Sequence, residues 1–109
     1  MTLKIYPVIL ELVRNVAPLV ARLRCRSPAL ADQMERALIS IPLNTAEGAY
    51  SRGKNRLARF QSAAASAREV PACCETAQAF GWLGEMDAAR AAAFNHVIGT
   101  LVRLSHAKA

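Results

Sequence analysis

Apolar side chains recur every three to four positions along the first 25 residues, with charged and polar side chains between them. This spacing places the apolar residues on one face of an α-helix and the polar residues on the other. The pattern therefore predicts an amphipathic helix that ends near Cys25. Its apolar face consists of Ile5, Val8 or Ile9, Leu12, Val16, Leu19 or Val20, and Leu23.

Three further segments show the same helical period. Ser27 and Pro28 indicate a helix start, because a serine hydroxyl caps free backbone N–H groups and proline fits the first helical position. The second helix is expected to end between positions 48 and 53, the third before Gly81, and the fourth near Leu104 or Ser105. The connections are short, so the sequence predicts one all-α domain over residues 1–109, an up-down-up-down antiparallel four-helix bundle. The apolar positions are Leu30, Met34, Leu38 and Ile41, then Leu57, Phe60, Ala63 or Ala64, Ala67, Val70 and Cys74, then Ala89 or Arg90, Ala93 or Phe94, Val97 or Ile98, and Leu101.

Proline occurs inside three of these predicted helices, at positions 18, 42 and 71. Pro18 falls on a polar face, where water can bond the freed carbonyl, so we expect it only to bend its helix. Pro42 lies beside a polar stripe of Ser40, Asn44 and Glu47 that flanks the apolar face. One interpretation is that this stripe satisfies the carbonyls freed by the proline and pairs with arginines of the third helix. The other is that it forms a ligand site.

Composition argues against an enzyme, a metal site and a membrane span. Alanine supplies 22 residues, so the core depends partly on close approach of the helices. The carboxylates are scattered, and no serine or cysteine has a histidine at a recognisable spacing. The cysteines are odd in number and two of them are adjacent, which favours a reducing cytoplasm over a disulfide framework. They form no Cys-x-x-Cys pair, so no bound metal is expected, and the sequence predicts no other cofactor. No apolar run reaches the roughly 20 residues that a bilayer requires, and the first helix is interrupted by charges, unlike a signal peptide.

The sequence Ser-Ile-Pro-Leu-Asn-Thr-Ala-Glu-Gly at positions 40–48 resembles the signature S-I-P-x-N-x-A-E-G of the four-helix bundle proteins, also called 23S rRNA intervening-sequence proteins. The similarity continues through residues 52–60 and 66–69. The resemblance implies a homo-oligomeric ring of five subunits with no established enzymatic activity, so we expect the chain not to be an enzyme. Some members are encoded in insertions of ribosomal RNA genes, and related accessory proteins of retroelements bind nucleic acid. It also implies a structural or subunit-interface network of Ser40, Asn44, Glu47, Ser66, Arg68 and Glu69.

The start of the third helix departs from the family pattern. Many members have serine or threonine there and glutamate three residues later, whereas this chain has Gly53 and Arg56. Cations destabilise a helix N-terminus by about 0.3–1 kcal/mol each, because that end already carries partial positive charge. Their concentration suits an anion, and phosphate is the obvious one. The candidate anion-binding residues are Arg52, Lys54, Arg56 and Arg59.

Carboxylates and a second group of cations are both expected near this basic cluster. Glu47 and Glu69 are candidates to neutralise it, within a chain or between subunits. A second cluster at residues 22–26 is expected at the same end of the bundle, where the two would form a joint basic surface. Tyr50 is the aromatic residue expected to lie near these cations outside the core.

Two hypotheses of function follow. The first is a cytoplasmic, oligomeric protein that binds the phosphate backbone of RNA or DNA with little sequence specificity and strong salt dependence. The second is a structural or adaptor ring that holds a protein partner, since the alanine-rich segment at 88–93 and the polar flank suit tight contacts between chains. Glu47, Arg68 and Glu69 are the charges expected at subunit contacts.

Overall fold

Four α-helices account for most of the structure, a computed structural model that describes residues 3–107. Helix α1 spans Ile5–Arg24, α2 spans Pro28–Tyr50, α3 spans Gly53–Ala79 and α4 spans Ala88–His106. No strand occurs among these residues. The helices pack in order, α1 on α2, α2 on α3 and α3 on α4, and α4 returns to α1. The all-α prediction is confirmed, and the helix bounds agree with the expected ones to within about two residues.

The core lies between all four helices and follows the predicted apolar faces. Its largest fully buried side chains include Phe60 from α3 and Phe94 from α4. Most of the buried residues of α3 are alanine or cysteine, so this helix can approach its neighbours closely. The alanine content therefore has the structural role that the composition suggested, at least within the chain.

The helices start and end where local chemistry allows. Ser27 caps α2, because its Oγ accepts a hydrogen bond from the backbone N–H of Leu30 at 3.1 Å. Asp87 caps α4 in the same way, accepting from the N–H of Arg90 at 2.8 Å. Gly81 follows the end of α3 with φ of +76°, a left-handed conformation that glycine adopts without strain.

The side chain of Arg90 links α4 to α1 by hydrogen bonds. Its Nε and Nη2 donate to the backbone carbonyl of Asn15 at 3.1 and 3.0 Å, and its Nη1 donates to Asp87 Oδ2 at 2.7 Å. Asn15 lies three residues before Pro18, where an interior proline opens the helix and exposes carbonyls. The exposed Pro18 thus sits where the sequence predicted, and a side chain from α4 bonds a carbonyl beside it.

Replacing Arg90 with alanine is expected to lower the free energy of unfolding by about 2 kcal/mol, because hydrogen bonds from a charged donor stabilise more than neutral ones. Chemical denaturation followed by circular dichroism measures this change. Arg103→Ala is the matched control on the same helix, since the side-chain hydrogen bond of Arg103 among the described residues goes to the nearby Thr100 hydroxyl. Equal effects of the two substitutions would show that the contact with Asn15 does not hold α4.

Candidate nucleic-acid interface

The polar stripe of α2 joins that helix to α3. Ser66 Oγ donates to Ser40 Oγ at 2.9 Å, and Asn44 Nδ2 donates to the hydroxyl and carbonyl oxygens of Ser40 at 2.8 and 3.1 Å. The expected satisfaction of carbonyls freed by Pro42 is wrong, however. Pro42 frees the carbonyl of Leu38, four residues earlier, and within residues 3–107 no side chain bonds it. The stripe instead provides polar contacts between the two helices.

Gly48 ends the signature sequence at a close approach of α2 and α3. A Cβ atom at this position would lie 2.7 Å from Cε1 of Phe60, which is too close for real atoms, and Phe60 is completely buried. The glycine is therefore required by packing against the aromatic ring rather than by an unusual backbone angle. Ser40, bonded to Ser66, and Gly48, packed on Phe60, together fix how α3 lies against α2.

Two of the four predicted anion-binding cations are used within the chain. Arg56 Nη1 donates to the carbonyl of Gly48 at 3.3 Å, and its guanidinium lies 5.0 Å from the centroid of the Phe60 ring. This places a cation at the carboxyl end of α2, where the helix dipole favours it. Arg59 Nε lies 3.4 Å from Glu47 Oε2, so Glu47 neutralises part of the cluster as one alternative predicted.

Arg52 and Lys54 remain exposed at the turn between α2 and α3. Neither makes an ion pair or a side-chain hydrogen bond with any other residue between 3 and 107. The first turn of α3 contains no acidic residue, and its N-terminus has no side-chain cap. Gly53 has φ of +58°, which lets the chain turn sharply between these two cations. We call Arg52 and Lys54, with the turn that carries them, the basic tip.

The remaining predicted network residues lie away from this tip. Glu69 Oε2 accepts from Gln33 Nε2 at 3.5 Å, which links α2 and α3 nearer the other end of the bundle. It stands thirteen residues along α3 from Arg56, a rise of about 20 Å, so within one chain it does not neutralise the cluster. Arg68 is exposed and forms no ion pair among the residues described.

The second basic cluster lies at the opposite end of the bundle, so the expected joint surface is wrong. Arg24 pairs with Asp32 at 2.6 Å and with Glu35 at 3.4 Å, both in the first turns of α2. Arg22 lines a groove with Gln78 near the end of α3. The reason is the helix order, because in an up-down bundle the end of the first helix adjoins the end of the third and not its start.

Charge is divided unevenly between the two ends. The half that contains the basic tip consists of the first halves of α1 and α3 and the second halves of α2 and α4. With the residues before α1, this half carries seven Lys and Arg side chains against two carboxylates, whereas the other half carries six against six. The net positive charge of the described chain therefore lies in one half of a molecule 44 Å long, because that half has few carboxylates.

The structure also bears on the thiols, on metal binding and on membrane spans. Burial raises the pKa of the Cys74 thiol to about 11 and also raises that of Cys73, so neither is a reactive thiolate at neutral pH. Residues 3–107 bring no three His, Cys, Asp or Glu side chains into a group that would hold a metal ion. None of the four helices is both long and apolar enough to traverse a bilayer.

A family model matches most of the chain. The model of the family described as 23S rRNA-intervening sequence protein matches residues 1–101, which is nearly the whole chain and includes all of α1, α2 and α3. No curated protein and no solved structure matches.

Proposed function

The chain belongs to the 23S rRNA-intervening sequence protein family, and on that premise we propose that it is a non-enzymatic, oligomeric helical bundle that binds the phosphate backbone of nucleic acid. RNA or DNA approaches the basic tip. We place this activity in the cytoplasm, because three unbridged cysteines suit a reducing compartment.

The observation that carries the proposal is the separation of charge. Arg52 and Lys54 are exposed and make no ion pair within the described chain. At the opposite end Arg24 and Arg90 pair with carboxylates, and the Lys and Arg side chains of that half are matched in number by its Asp and Glu side chains. Exposed cations without neighbouring carboxylates repel one another, so the net positive charge of this half costs stability unless a polyanion binds there. Backbone N–H groups at the uncapped start of α3 add neutral donors for phosphate oxygens.

Self-association is the second element of the proposal, and the resemblance implies a ring of five. On α2, Ile39 and Leu43 lie one turn apart with 50% and 60% of their surface exposed. Ile39 also borders an open groove of about 390 Å³ whose other wall includes Val13 and Ala17 of α1. An exposed apolar face of this kind is typical of a contact between subunits.

A salt titration tests the nucleic-acid proposal. We expect the wild-type chain to bind fluorescein-labelled RNA in an anisotropy assay, with log K falling by about 1.5 per tenfold rise in salt for each bundle engaged, because two phosphate contacts each contribute about 0.7–0.9. Sequence should matter little. Absence of binding at 50 mM salt, or affinity that does not change with salt, would refute the proposal.

Light scattering tests the assembly. The proposal expects a mass of five times 11.8 kDa, and Ile39→Asp combined with Leu43→Asp should yield a smaller species. Val8→Asp is the control, because Val8 is exposed on α1 and does not line the groove. A monomeric wild type at micromolar concentration would exclude the ring.

A structural or adaptor ring that holds a protein partner is the alternative function, and the same apolar face of α2 supports it. In that case a protein partner would bind with an affinity that is insensitive to nuclease and to substitution of the basic tip. Loss of that partner on Ile39→Asp, with nucleic-acid binding absent, would favour the adaptor over the proposed function.

A further inference from the structure

Tyr50 is the most exposed large apolar side chain of the described chain, and it adjoins the basic tip. It is the last residue of α2, and 77% of its surface is exposed. One residue, Ser51, separates it in sequence from Arg52, so the two Cα atoms lie within about 7 Å. An aromatic ring and exposed cations thus share the same turn.

The ring of Tyr50 has no aromatic stacking partner and no cation–π partner among the residues described. The stacked aromatic pair found there is Phe80 with Trp82, and the cation–π contact is Arg56 with Phe60. Phe80 is also exposed, but it stacks on Trp82 at 4.3 Å and lies at the end of the bundle where charges balance. Tyr50 is therefore the exposed aromatic ring that is free to stack and that lies in a positive field.

The backbone that carries Tyr50 is well fixed. Ser51 N–H and Arg56 Nη1 both donate to the carbonyl of Gly48, and the Ser51 hydroxyl donates to the carbonyl of Glu47. Asn55 Nδ2 donates in turn to Ser51 Oγ at 3.0 Å. A ring held on such a turn loses little backbone entropy when a flat ligand stacks on it.

We propose that the basic tip binds unpaired nucleotides in preference to duplex, with one base stacked on Tyr50 while Arg52 and Lys54 contact the flanking phosphates. This inference rests on the proposed function and narrows its ligand to single-stranded nucleic acid. A base in a duplex has both faces covered by its neighbours, whereas an unpaired base offers a face to the tyrosine ring. Stacking tolerates any base, so the preference is for strandedness and not for sequence.

The test compares labelled U12 RNA, dT12 DNA and a 12-base-pair RNA duplex by anisotropy. Tyr50→Ala is expected to weaken binding of both single strands by about 5- to 100-fold and to leave duplex affinity within about twofold, because each stacked base contributes about 1–3 kcal/mol. Tyr50→Phe should bind as the wild type does, since it keeps the ring. Phe80→Ala is the matched control, because it removes an exposed aromatic side chain that lies at the opposite end of the bundle.

Four other outcomes of these binding and mass measurements would contradict the stacking of a base on Tyr50, and each would have a different cause. Equal weakening of single strands and duplex by Tyr50→Ala would mean that the residue shapes the tip without stacking. A changed mass in light scattering with unchanged binding would assign Tyr50 to a subunit contact beside Leu43. Wild-type binding of duplex alone overturns this inference and leaves the proposed function intact, whereas no binding of any of the three overturns both.

Discussion

Replacing Phe60 with alanine is expected to lower the free energy of unfolding by about 3–5 kcal/mol, a large part of the 5–15 kcal/mol that holds a typical domain together. Phe60 is completely buried, and it fills the space that Gly48 leaves between α2 and α3. Its ring also lies beneath the Arg56 guanidinium. The substitution therefore removes apolar contacts, opens a cavity and weakens the support of the arginine that caps α2.

Urea unfolding followed by circular dichroism measures this loss. Phe80→Ala is the matched control, because Phe80 is 64% exposed and should cost less than about 1 kcal/mol. Similar losses for the two variants would contradict the packing of Phe60 between α2 and α3. Gly48→Ala tests whether the Phe60 ring is what excludes a side chain at position 48. It should destabilise the wild type but cost less when Phe60→Ala has already removed the ring.

The helices could be predicted from sequence because their signals are local. The apolar period, the Ser27–Pro28 start and the glycine at position 81 each depend on a few neighbouring residues, and the structure shows the expected cap and turn at these places. The signature at 40–48 also marks residues that lie at the contact between α2 and α3. What it does there, hydrogen bonding through Ser40 and close packing at Gly48, needs coordinates because the partners lie on another helix.

The candidate site was harder to predict, because it depends on which cations the rest of the chain already uses. Arg56 looked equivalent to Arg52 in sequence, yet the turn at Gly53 brings it back to the carbonyl of Gly48. Arg90 falls within the apolar pattern of α4, and its hydrogen bond to Asn15 joins residues that are 75 positions apart in sequence. A local pattern cannot predict such a contact. The position of the second cluster, by contrast, can be predicted from helix order alone. In an up-down bundle the end of α1 and the start of α3 lie at opposite ends, so residues 22–26 lie away from the basic tip.

Removing both cations of the basic tip, Arg52→Ala with Lys54→Ala, is expected to weaken binding of RNA and DNA by about tenfold or more at 0.1 M salt. The salt slope should fall by about 1.5, since each phosphate contact contributes about 0.7–0.9 to it. Stability should be almost unchanged, because neither side chain has an ion-pair partner in the described chain. Arg56 is left in place, since its loss would uncap α2 and confuse folding with binding.

Arg22→Ala combined with Arg26→Ala provides the control that decides between a local site and a general effect of charge. Both residues are exposed at the opposite end, and this pair of substitutions lowers the net charge by the same amount. If total charge attracted the polyanion, the two double variants would weaken binding equally and change the slope equally. A binding surface confined to the basic tip instead requires a large loss for Arg52 and Lys54 and almost none for Arg22 and Arg26. The molecule is 44 Å long, so its far end lies several Debye lengths from the tip at 0.1 M salt, where that length is about 10 Å.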